Sequence, residues 1–285
     1  MAEHNAPLGI TGSTGNLGGR IARRLADVGA PQRLLVRDPA RAPELPGTTV
    51  HRATYSDGES VADALDGVRV ALMVSGSESA DRVTQHSTFI DAAARAGVEH
   101  LVYISFVGAG AAASTFTLVR DHHATEGHIR GSGMRFTFLR DNMYADFLPM
   151  LAGDDGVIRG PAGNGRIAAV AQDDIADVAV EVLLHPERHT NVAYSLTGPE
   201  ALGLEEVAAV LTRATGRRYT YHDETIEEAH ASRAVYGAPD WQVEAWVSTY
   251  TAIAAGDLET VTDDVARLTG HPATSLEELM RRRPR

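Results

Sequence analysis

A chain of 285 residues, 44% hydrophobic and 22% charged, can bury a substantial core in one large domain or two smaller ones. It has no cysteine, which excludes a disulfide framework, a thiolate metal site and a cysteine nucleophile. Its formal net charge of −12 argues against general binding to nucleic acid or to a membrane surface.

No window carries the roughly 18 consecutive apolar residues of a membrane span. The start, MAEHNAPLGI, lacks the basic and apolar regions of a signal peptide, and the tail RRRPR (281–285) reads as a solvated end. These features lead us to expect a cytoplasmic protein, a location that the lack of cysteine also suits.

In chain order, PLGITG (7–12) is a short β-type run, followed by the helix-like NLGGRIARRLADVG (16–29). QRLLVR (32–37) and TTVHRATY (48–55) read as strands, GESVADALDG (58–67) as a helix and VRVALMVSG (68–76) as a strand. In ADRVTQHSTFIDAAARAG (80–97), Val83, Phe89, Ile90, Ala93 and Ala94 form one stripe, with Gly97 as C-cap. HLVYISF (100–106), a helix over 118–130 and MRFTFLR (134–140) follow. Such Val-, Ile- and Leu-rich runs between helices predict a Rossmann-type α/β fold, a doubly wound parallel sheet covered on both faces.

The second half is less regular. GVIRGPAGNGRIAAVAQ (156–172) reads as a glycine-rich hairpin or loop, leading into the helix 173–185 with Asp173 or Asp174 as N-cap. NVAYSLTG (191–198) is a predicted strand, and LEEVAAVLTRATG (204–216) an amphipathic helix stopped by Gly216. From about 225 the pattern is mostly helical. The expected division is a dinucleotide-binding domain over 1–150, its sheet completed from 166–198. Residues 151–165 and 199–285 form a smaller, mostly helical substrate-side cap.

ITGSTGNLGG (10–19) follows the first strand and opens the first helix. Gly12, Gly15 and Gly18 bring backbone close to a pyrophosphate at a helix N-terminus, where free N–H groups and the helix dipole favour anions. The competing reading is a turn whose glycines merely relieve sterics. At the end of the second strand an acid would bind the 2′-hydroxyl of NAD, and an arginine the 2′-phosphate of NADP. Arg37 comes first, then Asp38, whose other role beside Pro39 is to start a turn or helix; Arg41 lies one turn on and Arg20 nearby. The expected cofactor is therefore NADP(H) rather than NAD(H).

With these residues placed, the chain resembles the NmrA-like, atypical short-chain dehydrogenases, in particular the type-2 NAD(P)H:quinone oxidoreductases and triphenylmethane reductases. The motifs that carry the resemblance are ITGSTGNLGG, LLVRDPARA, VALMVSG, AGVEHLVYIS, HHATEGHIRGSGMRFTFLRDNMYADF, GNGRIAAVAQDDIADVA and LTGHPATSLEELM, spread over nearly the whole chain. The resemblance implies that Gly12, Thr14, Gly15, Asn16, Leu17 and Gly18 hold the pyrophosphate and Arg37 the 2′-phosphate. It sets Val74, Ser75 and Gly76 beside the adenosine and nicotinamide ribose, and the hydroxyl of Ser105 near the nicotinamide. Two departures stand out. Thr54 precedes Tyr55 where the family has Asp, and Arg140-Asp141-Asn142 replaces Arg-Asn.

Ordinary short-chain dehydrogenases carry Tyr-x-x-x-Lys on the helix that begins near 118, the lysine lowering the pKa of the tyrosine that protonates a carbonyl substrate. Leu118 and His122 stand there instead. A metal site among the histidines is not expected, since His123 and His128 point about 140° apart on a helix and no H-E-x-x-H pattern occurs. His122 and Glu126 share a face and are placed to pair, whereas His123 and His128 read as solvated.

The expected function is hydride transfer from NADPH to a small planar, quinone-like or conjugated aromatic acceptor, with His122, Asn142 and Tyr144 as oxyanion donors or pocket residues. Met143 and Phe147 either join that pocket or pack in the core. The alternatives are a non-catalytic NADP(H)-binding redox sensor of the NmrA type, or a reductase or isomerase of secondary metabolism. The sequence leaves oligomeric state open.

Overall fold

Each apolar run of the first half becomes a strand, because Val, Ile and Leu suit a sheet buried on both faces. In the computed structural model, which describes residues 6–110, 114 and 116–282, β1 (Leu8–Thr11) leads through a turn into α1 (Asn16–Asp27). There follow β2 (Gln32–Val36), β3 (Thr48–Arg52), α2 (Gly58–Leu65), β4 (Val70–Val74), α3 (Arg82–Arg95), β5 (His100–Phe106), α4 (Thr117–Gly131) and β6 (Arg135–Asp141). Beyond them lie β7 (Val157–Gly160), β8 (Arg166–Ile167), α5 (Gln172–Leu184) and β9 (Val192–Leu196). The main sheet has the order β3-β2-β1-β4-β5-β6-β9. Within it β1 runs parallel to β2 and β4, β2 to β3, and β4 to β5. The order reverses at β1, so the carboxyl ends of β1 and β4 flank the crevice where this class of fold takes its ligands.

The chain forms two compact units. The first comprises the residues up to Ala109, Asp121–Arg140 and Asp173–Tyr194; the second comprises Gly110–Arg120, Asp141–Gln172 and the chain from Ser195 on. Segment 141–150, expected with the first half, belongs to the second unit. The core of the first unit joins α2 and α3 to the sheet through Val61, Leu65, Phe89, Ile90, Tyr103 and Phe138. Gly97, at φ +85°, ends α3 as expected.

In the second unit β10 (Leu202–Gly203), α6 (Leu204–Thr215), β11 (Thr220–Asp223), α7 (Ile226–Arg233) and α8 (Asp240–Ala254) follow β9. Stretch 156–172 is not a hairpin. β7 pairs with β11 and β8 with β10, so of 166–198 only β9 joins the main sheet. Its glycines serve close approach instead: a Cβ on Gly165 would lie 2.1 Å from the carbonyl oxygen of Ile253, and one on Gly160 would lie 2.2 Å from the Tyr250 ring.

The acids at 173 and 174 do not cap α5 but lie in its first turn. The Gln172 N–H instead donates to Asp146 Oδ2 at 2.9 Å. No helix among the described residues is long and apolar enough to cross a membrane. Of the basic tail, residues 283–285 lie outside the described residues.

Candidate active site

Between β1 and α1 the backbone turns on glycine. Gly12 sits at φ +69°, and a Cβ on Gly18 would stand 2.3 Å from the Gly12 carbonyl oxygen, so the turn closes against the helix only without side chains there. The Gly15 N–H donates to Gly12 O at 2.9 Å, and α1 has no acid in its first turn and no side-chain cap. Thr14, Gly15 and Asn16 are exposed. Leu17 packs in the core, so only its backbone can face a ligand. Ser13, which the sequence reading passed over, is 3% exposed with its Oγ lacking a partner. A buried hydroxyl without a partner costs free energy, and at the N-terminus of α1 a phosphate oxygen would relieve it. The residues present thus fit a dinucleotide's pyrophosphate.

A cleft of about 540 Å³ opens beside this turn, lined by Ser13, Thr14, Gly15 and Asn16 and by arginines 20, 23, 24 and 41. Arg20 and Arg24 both hold Asp173 at 2.6 Å, and Arg24 Nε also reaches Asp177 at 2.7 Å. Burial pushes the Asp173 carboxyl up, but the bonds from Arg20 and Arg24 outweigh it and hold the group below its usual range. Asp38 accepts from the Ala40 N–H at 3.0 Å and so caps the short helix 39–41, which makes it a capping acid. Arg37 is exposed, and Arg41 lines the cleft.

Across the crevice, the Tyr55 hydroxyl donates into the end of the sheet, 2.7 Å from Thr11 Oγ1 and 2.6 Å from Val74 O. The Val74 N–H donates to the same Thr11 Oγ1 at 2.9 Å. Burial drives the tyrosine pKa upward, against the Thr11 hydrogen bond and the charge of Arg37, so the phenol stays protonated. Two residues on, α3 engages both backbone polar groups of Gly76 through His86 and Arg82. Of the expected contacts 74–76, Val74 and Gly76 therefore spend their backbone groups within the protein. Ser75 is half-buried.

Helix α4 answers the histidine question. His122 is 3% exposed, with Nδ1 2.9 Å from the Tyr103 hydroxyl and Nε2 3.2 Å from Arg82. Burial and then the Arg82 charge hold its pKa well below the ordinary histidine value. It is a neutral, fully engaged imidazole, which corrects the expectation of an oxyanion donor at His122.

His122 does not pair with Glu126 either. That carboxylate takes the Ser105 hydroxyl at 2.7 Å, Arg140 through both oxygens at 2.8 and 2.7 Å, and Arg130 at 2.8 Å. Ser105 is fully buried and turned toward Glu126, so its hydroxyl does not face a cofactor. His123 Nδ1 lies 2.9 Å from Ala109 O and His128 pairs with Asp91 at 2.7 Å, so neither is merely solvated. Among the described residues no group of three or more His, Asp or Glu side chains is arranged to hold a metal ion.

Asn142 and Tyr144 belong to the second unit. The Asn142 amide is buried with both ends used, Nδ2 donating to Leu258 O at 3.0 Å and Oδ1 accepting from the Met143 N–H at 2.8 Å. Its Oδ1 and one of its two Nδ2 hydrogens therefore serve the fold. Tyr144 is half-buried and meets Phe147 edge to face at 5.4 Å; with Phe147 40% and Met150 76% exposed, this segment presents an apolar surface.

The glycine turn, the switch in strand order and the arginine-lined cleft together define a dinucleotide-binding Rossmann-type protein. A family model described as NAD(P)H-binding matches residues 12–186, more than half of the chain. The chain belongs to this NAD(P)H-binding family. It is 33% identical over 278 residues to quinone oxidoreductase 2 of Escherichia coli, covering 95% of this chain and 96% of that one. The solved structure of that enzyme complexed with NADPH superposes with a TM-score of 0.87 over 96% of this chain and 98% of its own. An NAD(P)H azoreductase of Xenophilus azovorans is also 33% identical, over 94% of this chain and 95% of its own. The Citrobacter triphenylmethane reductase complexed with NADP(H) is 30% identical with a TM-score of 0.85, over 96% of this chain and 98% of its own. This kinship places the chain among the NAD(P)H-dependent oxidoreductases.

Proposed function

We propose that this NAD(P)H-dependent oxidoreductase uses NADPH to reduce a small planar, quinone-like or conjugated aromatic acceptor. The observation that carries the reading is what α4 holds at the acid–base positions: Leu118, an apolar side chain, and His122, buried and neutral. Bound NADPH supplies the hydride. The chain supplies a seat for it, with Ser13 and the N-terminus of α1 on the pyrophosphate and Arg37 with Arg41 on the 2′-phosphate.

Reduction of a quinone leaves the electron pair on a phenolate oxygen, whose conjugate acid has a pKa near that of tyrosine, about 10. Water can protonate such an oxygen, so the enzyme need only orient the acceptor and exclude competing reactions. A ketone would yield an alkoxide, which needs a positioned acid that these residues do not provide. The test is NADPH oxidation with a panel of acceptors. Turnover with quinones and none with simple ketones is the expected result. Efficient ketone reduction would overturn the reading, and tight NADPH binding without turnover on any acceptor would make the protein a sensor.

A further inference from the structure

Both backbone polar groups of Gly76, at the exit of β4, are held by side chains of α3. The Gly76 N–H donates to His86 Nε2 at 2.9 Å, and the Gly76 carbonyl accepts from Arg82 Nε at 2.9 Å. Arg82 and His86 lie one helical turn apart and are 3% and 1% exposed, on the face that goes on to bury Phe89, Ile90 and Ala93.

The guanidinium then continues to α4. Its NH2 stands 3.2 Å from His122 Nε2, and its NH1 is 3.4 Å from Asp121 Oδ2, a carboxylate 35% exposed. Arginine keeps its protons, so His122 Nε2 can only accept; the His122 proton sits on Nδ1 and donates to Tyr103. His86 is fixed in the same sense. Its Nε2 accepts from Gly76, its Nδ1 faces Thr125 Oγ1 at 3.0 Å, and the Thr125 hydroxyl donates to Asp121 O at 2.8 Å.

A buried cation whose carboxylate partner is long and partly solvated is expensive where an apolar residue would pack. Structure alone gives no reason to keep it. What it does is tie the loop after β4, on the ligand side of the sheet, to the α4 turn where ordinary short-chain dehydrogenases set their tyrosine and lysine.

We propose that Arg82 is a positioning residue for hydride transfer, fixing the Gly76 backbone and the His122 face of α4 as the shelf for the nicotinamide half of the cofactor. The proposal rests on the NADPH reading above. Arg82 acts through Gly76 and His122 rather than by touching the reacting atoms. Its charge has a second effect, because burial and then Arg82 hold the His86 pKa down at about 3, which keeps Nε2 able to accept. The other ionisable groups facing this cluster are Glu78 in the loop, Asp121 and Glu126 on α4, Tyr103 on β5 and Tyr55 after β3.

The test compares two ligands, NADPH and adenosine 2′,5′-bisphosphate, which carries the 2′-phosphate but no nicotinamide. Arg82→Lys keeps the charge and loses the fork. It should weaken NADPH about 10-fold or more, the loss expected of a buried charge-assisted bond, and lower kcat while leaving the bisphosphate unchanged. Arg82→Gln should show the same split and, with the charge gone, should also move the acid limb of kcat/KM to higher pH. His86→Gln removes the other arm of the tie and should divide the two ligands in the same way. Equal weakening of both ligands, or of neither, in the variants that fold would overturn the proposal. A wild-type protein that fails to bind the bisphosphate would overturn the cofactor reading instead.

Discussion

The Ser105 hydroxyl donates to Glu126 Oε1 over 2.7 Å, and both residues are fully buried. With Arg140 clamped on both oxygens and Arg130 on one, the Glu126 charge is matched at every lone pair the fold leaves it. Removing the carboxylate leaves Arg140 uncompensated, so Glu126→Ala should destabilise the protein by about 3–5 kcal/mol in urea unfolding. Ser105→Ala should cost about 1–3 kcal/mol and leave NADPH affinity intact. Loss of NADPH with stability unchanged would return Ser105 to the cofactor.

Cofactor choice should follow the two exposed arginines after β2. If Arg37 holds the 2′-phosphate, as proposed, Arg37→Asp removes a charge-assisted partner and adds repulsion, so it should weaken NADPH roughly 10-fold or more while NADH changes little. Arg41→Asp should act in the same direction, because Arg41 lines the cleft beside the glycine turn. Titration of both nucleotides against both variants decides the matter. Discrimination unaltered in either variant would remove that arginine from the 2′-phosphate site.

Stability should fall in acid for a specific reason. Burial, aided by neighbouring positive charge, lowers the pKa of His86 to about 3 and of His100 to about 4. Each ring is neutral in the folded chain but takes a proton near pH 6.5 when unfolded. Their contribution is full above about 6.5 and is lost as pH falls through the window down to about 4 and then 3. His100 Nε2 lies 2.7 Å from Thr137 Oγ1, which itself donates to His189 O. Replacing His100 by Asn, which does not titrate, should flatten the acid side of a Tm-against-pH curve. An unchanged curve would show that the carboxylates dominate it.

Much of the fold is legible in the sequence because parallel strands buried on both faces read as unbroken apolar runs, and Gly12 and Gly18 mark a turn that tolerates no Cβ. What sequence reading misses is polar and tertiary. Arg82 and His86 fall in phase with Phe89 and Ala93 on α3, and two polar residues on an otherwise apolar stripe were the available signal. Nothing local shows that Glu126 turns toward Ser105 and not His122, since the choice depends on Arg140, fourteen residues away on β6. The glycines at 160 and 165 look like a hairpin until the ring of Tyr250 and the backbone at Ile253 are seen against them. Asn142 sits where the resemblance implies a pocket amide, yet its partner, the carbonyl of Leu258, is 116 residues away.

Tyr144 should report on the acceptor. Its half-buried ring lies against Phe147, and Met150 of the same segment is exposed, a flat and soft surface suited to aromatic ligands. Tyr144→Ala should raise KM for aromatic acceptors and leave NADPH affinity alone. Joint loss of cofactor binding and folding would identify the ring as a packing residue.

The absence of a titrating acid should be visible in the kinetics. His122 is held neutral by burial and by Arg82, with Nδ1 committed to Tyr103 and Nε2 to the guanidinium. A proton donor at this position would impose a limb near pH 6.5 on kcat. Without one, quinone reduction should run at nearly constant kcat between about pH 6 and 8, the product oxygen being protonated from water. His122→Ala should lower kcat by less than the roughly 10²-fold that loss of a positioned acid costs, because it only loosens the tie between α4 and Arg82. The variant's profile should be as flat as the wild type's. A wild-type limb near pH 6.5 that vanishes in His122→Ala would make the histidine the acid after all, and ketones should then be reduced as well.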